Sequence, residues 1–233
     1  MNTLIVVPTY NEASNIVQIL KEIYSNLPNT HVLFVDDGSR DGTIELIKSH
    51  SNFNTAIFLL ERPRKMGLGK AYIAGFKWGL AKNSYDAICQ MDADLSHNPQ
   101  YLLSMLVLLE TNDLVIGSRY VKGGGVVNWG LIRKFISRFG SFYARNILGM
   151  RVKDLTGGFN LWRSSALRKI VLDDVKSEGY SFQIELKYRA SQNKLRITEF
   201  PIIFKDRIAG TSKMSLKICI EAFYRVFLMK FIK

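Results

Sequence analysis

Apolar residues recur along the first 118 positions in two alternating rhythms. Short, near-continuous apolar runs at Leu4–Pro8, Val32–Asp36, Ala56–Leu60, Ala87–Met91 and Leu114–Gly117 predict strands buried on both faces. Between them, Ala13–Leu27, Gly42–Ser49, Gly69–Ala81 and Pro99–Glu110 have the spacing of helices with one apolar side. Alternation of this kind predicts an α/β class, with a mainly parallel twisted sheet, helices on both faces and right-handed crossovers. Ligands of such sheets bind beyond the carboxyl ends of the strands, so the turns that follow strands are where chemistry is to be sought.

The rhythm changes after Lys122. Gly123-Gly124-Gly125 predicts a flexible break, and Leu131–Leu148 then sets Phe135, Phe139 and Phe142 beside Arg133, Arg138 and Arg145 at helical spacing. Beyond Asp154–Arg163 the pattern predicts a polar helix around Ser181–Ser191, a strand pair over Arg196–Phe204 and a glycine-containing loop at Lys205–Ser212. The last helix, Leu216–Lys233, has a polar stripe of Lys217, Glu221 and Arg225 set against Leu216, Ile220, Phe223, Phe227 and Phe231. Amphipathic helices of this composition suit packing on a core or lying in a membrane interface. With no repeat and no long linker, the organisation expected is one domain, 1–215, with a C-terminal helix, 216–233.

Composition adds partners rather than fold. The chain has 233 residues, enough for a sizeable core without staples, and its two cysteines, Cys89 and Cys219, lie far apart; Cys89 sits in an apolar run as a reduced, buried thiol would. Thirty-two basic against twenty acidic residues give a net charge of +12. Such an excess points to anionic partners: nucleic acid, acidic lipid headgroups or phosphorylated substrates. The first strand begins at Leu4 with no basic, apolar leader before it, so no signal peptide is expected. Leu102–Leu109, the longest apolar candidate, is too short to cross a bilayer. No helix-turn-helix, zinc-ligand or aromatic RNA-binding signature accompanies the charge, which disfavours nucleic acid.

Chemistry concentrates at the strand ends. Asp92-Ala93-Asp94 follows the fourth strand, and two carboxylates flanking a small residue can face one hard cation such as Mg²⁺ or Mn²⁺, held jointly with substrate phosphates; equally, such a pair can serve a loop or cap a helix. After the second strand, Asp36-Asp37-Gly38-Ser39 supplies two adjacent acids. Asp37 is placed to accept from a ribose or a base, and Asp41 or Ser39 to cap the next helix. Pro8 ends the first strand, Asn11 is a candidate cap, Tyr10 offers a ring for stacking and Glu12 a ribose contact. Arg64-Lys65-Met66-Gly67-Leu68-Gly69-Lys70 lacks the spacing of a phosphate-binding loop and reads as a turn opening a helix near the nucleotide. Arg119, Arg133, Arg207 and Lys213 are candidate phosphate-binding cations, the arginines because a guanidinium grips phosphate bidentately.

These segments occur in a recognisable order. Val6-Val7-Pro8-Thr9-Tyr10-Asn11-Glu12, Asp36-Asp37-Gly38-Ser39, Asp92-Ala93-Asp94-Leu95-Ser96-His97, Gly117-Ser118-Arg119-Tyr120, Asp154-Leu155-Thr156-Gly157-Gly158-Phe159 and Phe204 through Lys213 together resemble the polyprenol (dolichol) phosphate mannose synthases, inverting family-2 glycosyltransferases of the type A fold. The resemblance implies mannose transfer from GDP-mannose to a polyprenyl phosphate. The runner-up is a relative that moves glucose or an aminosugar from a UDP-sugar to undecaprenyl phosphate or a glycan. It further implies that Pro8, Tyr10, Glu12 and Asp37 contact the nucleoside, and that Asp92 and Asp94, with Ala93 between them, hold Mg²⁺ or Mn²⁺ on the diphosphate. Arg119, Arg207 and Lys213 would surround the diphosphate and the incoming phosphate. Arg133 and Ser137 match the segment that receives the lipid phosphate, and Asp154 through Gly158 would shape the sugar side of the cleft. Ser96 stands where the family often has glutamine near the metal. Some members carry C-terminal transmembrane helices; the setting implied for this chain is peripheral, on the cytoplasmic face of an anionic membrane, with a membrane-anchoring partner as a candidate.

Overall fold

A computed structural model describes residues 1–205 and 216–231. Thr3–Thr9 (β1), His31–Asp36 (β2), Ile57–Glu61 (β3), Ala87–Gln90 (β4) and Leu114–Ser118 (β5) form within a residue or two of the predicted strands. The intervening helices are Ala13–Asn26 (α1), Thr43–Lys48 (α2), Leu68–Ala81 (α3) and Leu102–Leu109 (α4), the last preceded by a 3₁₀ turn at Pro99–Tyr101. Gly125–Val127 (β6), Leu131–Leu148 (α5), Asn160–Arg163 (β7), Ser164–Leu167 (α6), a 3₁₀ turn at Leu172–Asp174, Gly179–Gln192 (α7), Ile197–Pro201 (β8), Ile203–Lys205 (β9) and Leu216–Met229 (α8) follow among the described residues.

Seven strands make one sheet in the order β3-β2-β1-β4-β7-β5-β8. All neighbours are parallel except β7, which runs antiparallel between β4 and β5. The pleat divides the core as the period of two requires. Leu4 and Val6 of β1 face α3 and α7, while Ile5 and Val7 face α1 and α4. On the first face α3 sits hard on β1. A side-chain carbon added to Gly75 would stand 2.4 Å from Val6 Cγ1, and one on Gly79 2.6 Å from Leu4 Cδ2. The glycines of α3 therefore set how closely that helix, and Tyr72 on it, approaches the strand ends.

Several expectations need correction. Arg196–Phe204 is not a strand pair: β8 joins the main sheet beside β5, whereas β9 pairs with β6 in a separate two-stranded ribbon, because Ile202 turns inward between them and is buried. Gly123-Gly124-Gly125 is not a loose break. A side-chain carbon on Gly124 would lie 2.5 Å from the Ser118 carbonyl, and Gly125 opens β6. The helix over Ser181–Ser191 carries polar residues that are buried, among them Gln183, Glu185 and Lys187. β7 was not foreseen as a strand.

Candidate active site

Four strand ends deliver their turns to one side of the sheet, where a cavity of about 290 Å³ opens. Pro8, Tyr10 and Glu12 line it from β1, Asp37 from β2, and Asp92, Ala93 and Asp94 from β4. Lys65, Gly67 and Leu68 enter from the turn before α3, Thr156 and Gly158 from the loop before β7, and Gln183 from α7. The cavity thus gathers all the nucleoside and metal candidates except Ser96. A second depression, about 480 Å³, lies between α1 and α2, lined by Ile16, Val17, Leu20 and Tyr24; it is off the strand ends and lacks converging carboxylates.

The two adjacent acids after β2 separate in role. Asp36 is fully buried and accepts from Thr9 Oγ1 (2.7 Å), from the Gly38 and Ser39 amides, and from Ser39 Oγ; it builds the turn. Asp37 faces the cavity, accepts from the Met66 amide (2.9 Å) and pairs with Arg62 Nε (3.1 Å), so the β3 end supports it. Asn11 does not cap α1: its side chain accepts from the Arg40 amide, and its φ is +56°. Asp41 meets Thr43 at the start of α2 and, with its other oxygen, the Ala13 amide of α1. Lys65 Nζ sits 4.2 Å from the Tyr10 ring centroid, flanking that end of the cavity with a cation.

The Asp92-Ala93-Asp94 turn is held from behind. Tyr72 donates to Asp92 Oδ1 at 2.8 Å; burial first, and then the Asp92 charge, push its hydroxyl well above 10.0, so it remains a donor. Ser96 donates to Asp94 Oδ1 through both its amide (3.1 Å) and its hydroxyl (2.6 Å), while Leu95 adopts φ +62°, which few side chains favour. Ser96 is buried and lies outside the cavity lining, so it supports Asp94 instead of facing the ligand. His97 Nδ1 accepts from the Asp92 amide at 3.0 Å, and its ring stacks on Phe159. Burial lowers the His97 pKa below 6.5, and its neutral imidazole fits that acceptor role. Among the described residues no group of three His, Cys, Asp or Glu side chains gathers as a metal cage. The donor set is instead two carboxylates at the mouth of a cavity, with one oxygen of each already oriented. That suits a hard cation completed by substrate phosphate and water oxygens.

Arg119 is 7% exposed and bound to Asp154 by Nε and Nη2, each at 2.7 Å, while Nη2 also reaches Thr156 Oγ1 at 2.9 Å. Burial, the largest single influence, would raise the Asp154 carboxyl, but the Arg119 charge, the hydrogen bonds from Arg119 and the Lys187 charge together outweigh it and hold the group below 3.8. Arg119 is therefore a cation at the rear of the site, one hydroxyl away from the cavity. Thr156 is the joint. It lines the cavity and also touches Ser141 Oγ (3.3 Å) and Ser137 Oγ (3.5 Å) on α5. Tyr120 donates to Ser137 Oγ at 2.6 Å. Arg133, near the start of the same helix, lies over the Trp129 ring at 4.1 Å. Ser137 and Arg133 thus share α5, with Ser137 in this hydroxyl cluster. Arg207 and Lys213 lie outside the described residues.

Two groups escaped the motif reading. Lys187 is completely buried on α7 and donates to the carbonyls of Asp154, Leu155 and Gly157 at 3.1, 3.2 and 2.6 Å. Burial pulls its ammonium down to about 7, against the pull of Asp154. Gln183 reaches the cavity from an amide network described below. Neither stands next to a motif, and only the helical period of α7 could have hinted that they face inward.

The family model of glycosyl transferase family 2 matches residues 4–171. An undecaprenyl-phosphate mannosyltransferase of Micrococcus luteus is 44% identical over 226 residues, 97% of this chain and 93% of the relative. A polyprenol monophosphomannose synthase of Mycolicibacterium smegmatis is 42% identical across 96% of this chain and 85% of the relative. A crystal structure of glucosyl-3-phosphoglycerate synthase from Mycobacterium tuberculosis, in complex with Mn²⁺, UDP and glucosyl-3-phosphoglycerate, superposes with a TM-score of 0.70 at 17% identity, covering all of this chain and 81% of that one. That likeness carries the type A fold. Matched over most of its length by the family model, and aligned nearly end to end with two polyprenyl-phosphate mannosyltransferases, the chain belongs to glycosyl transferase family 2.

Proposed function

We propose that the chain transfers mannose from GDP-mannose to a polyprenyl phosphate, forming polyprenyl phosphate mannose with inversion at the anomeric carbon. The observation that carries this reading is the near full-length similarity to two enzymes named for that chemistry, with the strand-end carboxylates lining one cavity. In the reaction an acceptor phosphate oxygen attacks the anomeric carbon as the bond from that carbon to the diphosphate oxygen breaks, and GDP departs.

A phosphate monoester has a second pKa of about 6, so the nucleophile arrives as an anion and needs no strong base. His97, buried and with Nδ1 already accepting from the Asp92 amide, agrees with a site built to position rather than to abstract protons. Tyr10, Glu12 and Asp37 would take the nucleoside, and Lys65 the negative flank beside it. Asp92 and Asp94 would hold Mg²⁺ or Mn²⁺, which when bound neutralises charge on the leaving diphosphate. Arg119, ion-paired with Asp154, would orient Thr156 at the cavity wall, and Arg207 and Lys213 are proposed to supply positive charge to the diphosphate. Ser137 and Arg133 on α5 would receive the acceptor phosphate.

No described helix is long and apolar enough to cross a membrane. Contact with the lipid is proposed to come from α5 and α8. Leu131, Ile132, Phe135, Phe139 and Phe142 are exposed on α5, Phe223, Tyr224 and Phe227 on α8, and Phe231 just beyond its end. The two helices meet through Tyr143 stacked on Phe223 at 3.8 Å, and α8 buries Val226 and Met229 inward, so the aromatic side faces out.

The test is a donor screen with GDP-mannose, UDP-glucose and UDP-N-acetylglucosamine, counting label extracted into organic solvent with polyprenyl phosphate as acceptor. GDP-mannose is expected to label the lipid, and labelling by a UDP-sugar alone would overturn the donor assignment. Asp94→Ala should lower turnover at least about 100-fold in Mg²⁺ or Mn²⁺, since the charge stabilisation at stake is several kcal/mol. Undiminished turnover removes the metal from the scheme.

A further inference from the structure

A buried chain of amides fixes which way one side chain presents itself to the cavity. The Trp162 indole can only donate, and it does so to Gln90 Oε1 at 2.9 Å. That contact orients Gln90, leaving its Nε2 pointing at Gln183, 3.3 Å from Oε1. A second route gives the same answer. Gln90 Oε1 also faces Asn160 at 3.1 Å, which requires the Asn160 amide nitrogen there, and that nitrogen lies 3.1 Å from Gln183 Oε1. Trp162, Gln90 and Asn160 are fully buried, so no water competes for these contacts. Two donors therefore claim the inner oxygen of Gln183, and its outward group must be the NH₂.

That nitrogen stands at a particular spot. A side-chain carbon on Gly158 would lie 3.5 Å from Gln183 Nε2 and 3.9 Å from Asp92 Oδ2. Glycine leaves the space open, between a carboxylate proposed to hold the divalent cation and an amide that can only donate. Nε2 has no hydrogen-bond partner among the described residues, although Gln183 is 3% exposed.

Resting on the glycosyl-transfer reading above, we infer that Gln183 determines donor-sugar recognition, its outward NH₂ donating to a hydroxyl oxygen of the hexose next to the diphosphate. Trp162, Gln90 and Asn160 are positioning residues that keep the donor side outward. A site built to donate to a hydroxyl loses that bond when either the donor group or the hydroxyl is removed.

Gln183→Glu is the informative variant. Its inner oxygen still accepts from Gln90 and Asn160, so an unchanged thermal midpoint reports an intact network, while the cavity side can no longer donate. The comparison uses the sugar nucleotide that the wild type turns over and the matching nucleoside diphosphate without sugar, both with Mn²⁺. Gln183→Glu should leave the affinity for the nucleoside diphosphate within about threefold of wild type, and lower kcat/KM for the sugar nucleotide about 10- to 100-fold. Repulsion of the diphosphate by the new carboxylate would weaken both ligands alike, so equal losses overturn the inference, as does wild-type kcat/KM. If Gln183→Glu unfolds the protein, Gln183→Met, which leaves Trp162 and Asn160 donating to Gln90 Oε1, gives the same comparison with the same criteria. A wild type that turns over no sugar nucleotide overturns the functional reading, and this inference with it. Turnover of a UDP-sugar in place of GDP-mannose overturns the donor assignment alone and leaves the Gln183 comparison standing.

Discussion

Ser96 shows how the site is built one side chain at a time. Its hydroxyl and amide both hold Asp94 Oδ1, and the left-handed Leu95 between them makes the turn that allows it. A serine here looks at first like a weak substitute for a longer ligand. In the structure it is a buried brace, and its effect on the proposed cation would be indirect. Ser96→Ala keeps the amide contact and loses the hydroxyl, and should raise the Mn²⁺ concentration for half-maximal turnover about 10- to 100-fold, with kcat at saturating metal little changed. A titration of activity against Mn²⁺ checks this; an unmoved midpoint would show that the turn alone orients Asp94. Residues adjoining strand ends, such as Tyr10, Asp37, Asp92 and Asp94, were legible in the sequence, since a parallel sheet sends such turns to one place. Asp36 beside Asp37, and Ser96 beside Asp94, were not separable in advance. Direction depends on a single dihedral, and composition does not encode it.

At the level of elements, α7 is the least legible and among the most consequential. Its buried polar residues hide the apolar stripe by which a helix is ordinarily placed. Gln183 closes the cavity, Glu185 accepts from the Ser177 amide at 2.9 Å, and Lys187 ties down the loop that carries Asp154 and Thr156. Lys187 has a folded pKa near 7 against 10.5 when unfolded. Between those values the unfolded chain binds a proton that the folded chain lacks, so this group makes stability rise with pH across the interval. Wild type is expected to gain urea resistance from about pH 7 towards pH 10.5 relative to Lys187→Met; parallel pH profiles of the two midpoints would contradict the assignment. β7 escaped notice for a different reason. Four residues preceded by Gly157-Gly158 make a weak strand signal, and its place between β4 and β5 is a long-range pairing. The pairing of β9 with β6 is likewise set by the burial of Ile202, a tertiary event.

The whole molecule joins a net charge of +12 to an exposed aromatic face on α5 and α8. Amphipathic pattern alone left packing and interfacial roles equally open for these helices. The structure divides them: Ser137, Ser141, Ala144, Val226 and Met229 turn inward, and the phenylalanines turn out. Apolar burial and attraction to acidic headgroups should act together. Phe135→Ser with Phe139→Ser is expected to lower partition onto anionic vesicles at least about tenfold, given about 25 cal/mol for each Å² of apolar surface lost. Raising the salt should weaken what remains. Flotation measures both, and unchanged recovery of the double variant would move the docking face elsewhere.

One helix, α5, turns hydroxyls towards Thr156 on one side and stacked phenyl rings, Phe135 on Phe139, to the outside on the other. If the rings rest among acyl chains, an acceptor reaches Ser137 by lateral diffusion, without leaving its leaflet. Encounter is then a two-dimensional search, and the concentration that governs turnover is acceptor molecules per unit of bilayer area, whatever the volume of the surrounding solution.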